Sequence, residues 1–184
     1  MIGAAEHQRV TNYSCNLKFL QKEGFMEILD GRAFSLEVRE QLKEQVAGFV
    51  KSTGITPCLA VVLVGEDPAS QVYVGHKIKA CSAAGIKSVE KRLPVESTQS
   101  ELIKVVQELN QDSEVHGILV QLPLPSHINE FEVLENLDPR KDADGLCIEN
   151  LGLLLEGHKR VAPCTPNGVI QLLKKHGIPM EGRH

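Results

Sequence analysis

Apolar residues recur at Leu36, Val38, Leu42, Val46, Phe49 and Val50 before "STG" at 52–54 stops the pattern, which predicts one amphipathic helix over 32–50. "CLAVVLVG" (58–65) is a near-continuous aliphatic run ended by glycine, the signature of a central parallel strand covered on both faces. After the loop "EDPAS", residues 70–84 return to helical spacing through Val74, Ile78 and Cys81 until Gly85 supplies a C-terminal cap. "IKSVEKRLP" (86–94) alternates weakly and reads as a second strand. Thr98 and Glu101 then form a capping box before Leu102, Val105, Val106 and Leu109.

Another buried-type strand lies within "VHGILVQLPLP" (115–125), ended by prolines that cannot join a ladder. Asn129 is placed to cap a short helix carrying Phe131, Val133 and Leu134, and "DPRKDADGL" (138–146) is a polar loop. "GLLLEGHKR" (152–160) reads as a strand or turn with a solvated end. Thr165 as N-cap, Pro166 at the first helical position, Val169, Ile170, Leu172 and Leu173, and Gly177 past the end mark a last helix. This order of elements predicts an α/β fold: a three-layer α/β/α domain with a mostly parallel sheet. The sequence has no internal repeat, and it stops at "GIPMEGRH", where a further strand is expected.

The chain has 184 residues and 42% hydrophobic content, enough for a substantial core. A net charge of −4, with basic residues scattered among acids, argues against nucleic acid or an anionic membrane as partner and in favour of a small-molecule site. Cysteines 15, 58, 81, 147 and 164 are odd in number and include no C-x-x-C pair, which predicts free thiols in a reducing cytoplasm. Cys81 and Cys164 read as structural. The first 25 residues contain no signal-like apolar run, and Glu6 and Glu23 fit a mitochondrial transit peptide poorly. No segment has membrane-span length, and the seven histidines show no paired metal-ligand spacing, so no metal is expected.

In parallel α/β sheets ligands bind beyond the carboxyl ends of the strands. The strand ending at Gly65 leads into a helix on which Ser70, Tyr73 and Lys77 share one face, and the strand at 117–120 delivers Gln121 and the rigid Leu122, Pro123, Leu124, Pro125 segment. If these strands are neighbours, Tyr73, Lys77 and Gln121 converge on one cleft. A phenol ring offers a flat face for a flat heterocycle, and a nearby ammonium reaches its reactive atom. The bland reading stays open here: a partly buried tyrosine beside a snorkelling lysine, a strand-end glutamine bonding loop backbone, and Asp142 and Asp144 as turn residues before Gly145.

Taken together, "LDGRAFSLEVREQL", "LVGEDPASQVYVGHKIKA", "HGILVQLPLP", "KDADGL" and "PCTPNGVIQLL" resemble, in order and spacing, the bifunctional methylenetetrahydrofolate dehydrogenase/methenyltetrahydrofolate cyclohydrolase family, from about Ile28 to His184. The resemblance implies a two-domain enzyme, a folate-binding catalytic domain followed by a Rossmann-type domain for NADP. It implies that Tyr73 stacks on the folate, that Lys77 is the essential catalytic residue supported by Gln121, and that Asp144 holds the amino edge of the pterin. Leu122 and Pro123 fall where that family contacts folate, with Ser70 as a neighbour. Implied too are tetrahydrofolate derivatives as ligands, a cytoplasmic setting and a homodimer for the complete protein.

On this reading residues 1–26 are an N-terminal extension, 27–162 the folate-binding domain, and 163–184 an interdomain helix and the start of a truncated Rossmann-type second domain. The sequence contains no G-x-G-x-x-G, so NADP binding is expected outside this chain, and hydride transfer is not expected from the chain alone. Short-chain dehydrogenases also use Y-x-x-x-K, but they carry a glycine-rich cofactor loop upstream and none precedes Tyr73. A non-catalytic module that only binds folate or a partner is the other alternative. The four positions Tyr73, Lys77, Gln121 and Asp144 are all intact, which weighs against decay.

Overall fold

A computed structural model describes residues 28–182. The N-terminal extension assigned to residues 1–26, Cys15 within it, and the last two residues lie outside the described part. Helix α1 (Gly31–Thr53) leads to strand β1 (Cys58–Val64), helix α2 (Pro68–Ala83), strand β2 (Lys87–Leu93), helix α3 (Gln99–Gln111) and strand β3 (Gly117–Val120). Three helices follow: α4 (Glu130–Glu135), α5 (Ile148–Leu155) and α6 (Cys164–Lys175).

The sheet has the order β2–β1–β3 and is parallel throughout. β1 is its middle strand, registered from Cys58 opposite Lys87 to Val64 opposite Leu93 on one side, and from Leu59 opposite Gly117 to Val62 opposite Val120 on the other. Helices cover both of its faces, which is why its apolar run does not alternate with polar residues. Ala60, Val62 and Val64 point into a core shared with Leu102, Val106 and Leu109 of α3. Val61 and Leu63 point the opposite way, toward Val74 and Ile78 of α2. β2 is an edge strand, and its charged Lys87, Glu90, Lys91 and Arg92 suit a position where free backbone groups invite unwanted pairing.

Local signals set several boundaries. Asp67 caps α2 by accepting from Ser70 N at 2.7 Å, and Pro68 sits in its first turn, so this helix starts two residues before the apolar spacing resumes. The Thr98–Glu101 capping box is formed in both directions, and Asn129 accepts from Phe131 N and Glu132 N to start α4.

Two boundaries differ from the sequence reading. Residues 152–155 are helical, belonging to α5, and the strand or turn expected over 152–160 reduces to a turn beginning at Glu156. Helix α6 begins at Cys164 with Pro163 in the capping position and no side-chain cap, so Thr165 is inside the helix. Pro166 is tolerated because first-turn N–H groups lack intrahelical partners anyway.

α1 buries only Val46, which packs near Gly85 at the end of α2, while Leu36, Val38, Leu42 and Phe49 remain exposed. The start of α1 meets α6 through a Glu37–Lys175 ion pair at 2.6 Å. Beyond β3 the chain returns along the sheet: Ile118 N donates to Lys141 O (2.6 Å) and Ala143 N to Ile118 O (3.0 Å). The polar loop thereby reaches the strand ends from which Gln121 emerges.

Candidate active site

Because β1 and β3 are parallel neighbours, their carboxyl ends lie on one rim, and α2 starts from that rim. Gln121 follows β3 directly, its N–H continuing the ladder to Val62 O at 2.8 Å. Its side chain is 9% exposed and fully engaged. Nε2 donates to Leu122 O (2.6 Å), which fixes the amide orientation and leaves Oε1 to accept from Lys77 Nζ at 3.0 Å. The bland expectation for Gln121, a bond to loop backbone, and the functional one, a contact with the lysine, are both met by the same amide.

Tyr73 lies one turn before Lys77 and is 61% exposed, so its ring is accessible from solvent. Ser70 is buried, with its N–H and hydroxyl both tied to Asp67, which faces it toward the helix cap. Leu122 is half-buried, and Pro123, joined to it by a cis peptide bond, is exposed. Leu124 turns inward to the core of the α3 face.

The loop at 138–147 supplies the other side. Asp142, expected from its spacing to Gly145 as a turn residue, instead pairs with Ile118 in a parallel bridge just before the bend at 143–144, and it is 2% exposed. Its Oδ1 accepts from Asp144 N (3.2 Å) and Gly145 N (2.9 Å). Its Oδ2 accepts from Cys147 N (3.0 Å), Cys147 Sγ (2.9 Å) and Asn150 Nδ2 (3.0 Å). Burial pushes the Asp142 carboxyl up, but the bonds from Cys147, Asn150 and Gly145 outweigh it and hold the group below its ordinary value. The same contact has the opposite effect on Cys147, whose thiol is pushed up to about 12 by burial and by the adjacent carboxylate. Asn150, fully buried in the first turn of α5, also donates to Pro139 O and accepts from Arg160 Nη1 (3.4 Å), while Arg160 pairs with Glu149 at 2.7 Å.

Gly145 has φ of +70°, and a Cβ there would stand 2.8 Å from Ala162 C, so only glycine lets the 162–163 backbone pass this close. That crossing delivers Cys164 to the site. Cys164 is exposed, yet its thiol donates to Ala143 O at 3.4 Å and is raised by partial desolvation first and then by the charge and hydrogen bond of Asp144, with the Lys77 ammonium opposing. Lys77 and Asp144, which are 67 residues apart in the chain, thus act with opposite sign on the charge of one thiol.

Sequence reading assigned Cys164 a structural place and did not single out Cys147 or Asn150. For Cys164 the available signal was its position in "PCTP", one of the blocks that carries the family resemblance. For Asn150 there was none, because its partners are set by the loop's tertiary path. A cleft of about 770 Å³ opens elsewhere on the rim, at the ends of β1 and β2 between Gly65, Gln71 and Arg92, but none of Tyr73, Lys77, Gln121 or Asp144 lines it. Among the described residues no cluster of histidine, cysteine and carboxylate side chains has metal-binding geometry.

Residues 29–144, more than half of the chain, match the family model for the tetrahydrofolate dehydrogenase/cyclohydrolase catalytic domain. The chain belongs to this family. It is 49% identical over 159 residues to the bifunctional protein FolD of Wolinella succinogenes, covering 86% of this chain and 56% of that protein. It is 53% identical over 157 residues to the FolD of Campylobacter concisus, covering 85% and 55%. The solved FolD methylenetetrahydrofolate dehydrogenase/cyclohydrolase of Campylobacter jejuni superposes with a TM-score of 0.82 at 50% identity, over 86% of this chain and 56% of that one. The Trypanosoma brucei enzyme, solved with NADP cofactor and inhibitor, gives 0.82 at 36% identity, over 85% and 54%. The chain therefore spans about half the length of the curated relatives it matches.

Proposed function

We propose that this chain forms the folate-holding half of an enzyme that oxidises 5,10-methylenetetrahydrofolate to 5,10-methenyltetrahydrofolate with NADP and hydrolyses the product to 10-formyltetrahydrofolate. The observation that carries this reading is the 3.0 Å bond between Lys77 Nζ and Gln121 Oε1 at the carboxyl end of β3. The accessible Tyr73 ring gives a flat pterin a stacking surface. The Asp144 carboxylate accepts from adjacent pterin N–H donors in a two-pronged, charge-assisted contact that fixes ring orientation. Leu122 and Pro123 border the same surface.

With the ring held, Lys77 acts on the cyclohydrolase step. To take a proton from water, the amine must present its lone pair toward that water. Water then bonds through its oxygen to the bridge carbon and one of its protons passes to Lys77. The other goes to N5 as the carbon–N5 bond breaks, leaving the formyl group on N10. Gln121 keeps the amine aimed at that water. NADP, when bound, accepts the hydride of the preceding step. The chain's sequence contains no glycine-rich dinucleotide loop, so no residue here is assigned to hold it.

The reading carries with it a cytoplasmic homodimer for the complete protein. Cys58, Cys81, Cys147 and Cys164 are free thiols, which suits a reducing compartment. The test follows the absorbance of methenyltetrahydrofolate added to the chain. Decay above the buffer rate, reduced more than tenfold by Lys77→Met, is the expected result. Activity surviving within tenfold of wild type removes Lys77 from the mechanism, and a stable complex without decay marks a binding module.

A further inference from the structure

We infer that Asp142 is a positioning residue for substrate binding, its buried carboxylate fixing the direction in which Asp144 projects. The inference rests on the folate reading of Asp144 and goes beyond it by assigning the group that holds Asp144 in place.

The geometry divides the work between the two carboxylate oxygens. Oδ1 accepts from Asp144 N and from Gly145 N, the amides of the peptide units that enter and leave the Asp144 Cα. With both peptide planes tied to one oxygen, the Cα–Cβ bond of Asp144 has little freedom to swing. Oδ2 accepts from the backbone and thiol of Cys147 and from Asn150, all at the start of α5. The carboxylate thereby locks the half-buried 143–144 bend to a helix. Asn150 holds the far end of the loop through Pro139 O, and Gly145 is backed by Ala162 and Pro163. The bridge to Ile118 fixes the residue itself against the sheet. Such a fully satisfied buried carboxylate can also serve stability alone. What points to positioning is that Oδ1 takes both of its bonds from the amides flanking the Asp144 Cα, Asp144 N at 3.2 Å and Gly145 N at 2.9 Å. Asparagine is the same shape but replaces one acceptor oxygen with an NH₂ group, which would face donors it cannot accept from.

The test is a double-mutant cycle on tetrahydrofolate binding, with the dissociation constant measured under reducing conditions for wild type, Asp142→Asn, Asp144→Asn and the double variant. The expected result is about tenfold weaker binding for Asp142→Asn when Asp144 is present, and less than about twofold when it is already replaced. A carboxylate that only stabilises the loop weakens binding equally in both backgrounds, and that result overturns the inference. So does unchanged binding in Asp142→Asn while Asp144→Asn binds poorly. Failure of the wild-type chain to bind tetrahydrofolate overturns the folate reading and the inference with it. If Asp142→Asn does not fold, Cys147→Ala, which removes one donor to Oδ2, takes its place in the cycle. The expected loss is then about threefold, confined to the background that retains Asp144.

Discussion

The two faces of the sheet are built from the same three strands and carry very different loads. On the α3 face, fourteen buried residues from β1, β3, α3, α4 and the connecting loops form one cluster, whereas the α2 face has four, Val61, Leu63, Val74 and Leu119. The heavy face has a closed capping box on α3 and a helix moment that is apolar on one side. The light face has a helix with apolar and polar residues mixed around it, on which Ser70 is buried against the cap while Tyr73 is exposed and Lys77 reaches Gln121. Burial is concentrated on the face away from the proposed site, and the α2 face carries a lysine, an exposed ring and a buried glutamine.

Substitutions on opposite faces should separate folding from function. Leu102→Ala, at a fully buried position of α3, is expected to cost ~2–5 kcal/mol in urea denaturation while leaving folate affinity of the folded fraction unchanged. Next in size is a pH effect at the loop. The Cys147 thiol stands at about 12 against an ordinary value near 9.0, so folding favours its neutral form. Its contribution is complete below about pH 9 and is lost as pH rises toward 12, at up to ~1.4 kcal/mol per pH unit. Denaturation midpoints of wild type and Cys147→Ala should converge over that window. Asp142 acts in the reverse sense, since its lowered carboxyl contributes above the ordinary carboxylate range and loses that contribution as pH falls through its folded value.

Smaller still, Thr98→Ala should destabilise by about 1 kcal/mol through loss of the α3 cap, with no effect on ligand. Tyr73→Ala is the converse. Its ring is mostly exposed, so thermal stability should stay within ~0.5 kcal/mol while folate binding weakens by ~1 kcal/mol. A stability loss at Tyr73 larger than at Thr98 would erase the distinction between the faces.

Much of this arrangement was legible in the sequence where the signal is local. β1 announced itself because a central strand needs apolar residues on both sides, and α3 because its capping box joins residues three apart. The strand order that brings Gln121 to Lys77 was a condition of the sequence reading, and the pairing of β1 with β3 meets it. The segment 152–160 reads as a strand or turn because it starts at Gly152, which weakens the helical signal, and leaves out Ile148–Leu151, where the helix begins. The role of Asp142 as the loop's hub was hidden for a different reason. Its partners at 145, 147 and 150 are backbone amides, a thiol and an amide whose convergence depends on the loop's path and not on any spacing rule.

On the proposed reading Tyr73, Lys77, Gln121 and Asp144 border one folate surface. A crystal structure of the chain with a bound tetrahydrofolate analogue tests it most directly. The account predicts the pterin ring against Tyr73, its amino edge on the Asp144 carboxylate, and the one-carbon position facing Lys77 where Gln121 holds it. An analogue seated instead in the cleft between Gly65, Gln71 and Arg92, with Lys77 untouched, would contradict it.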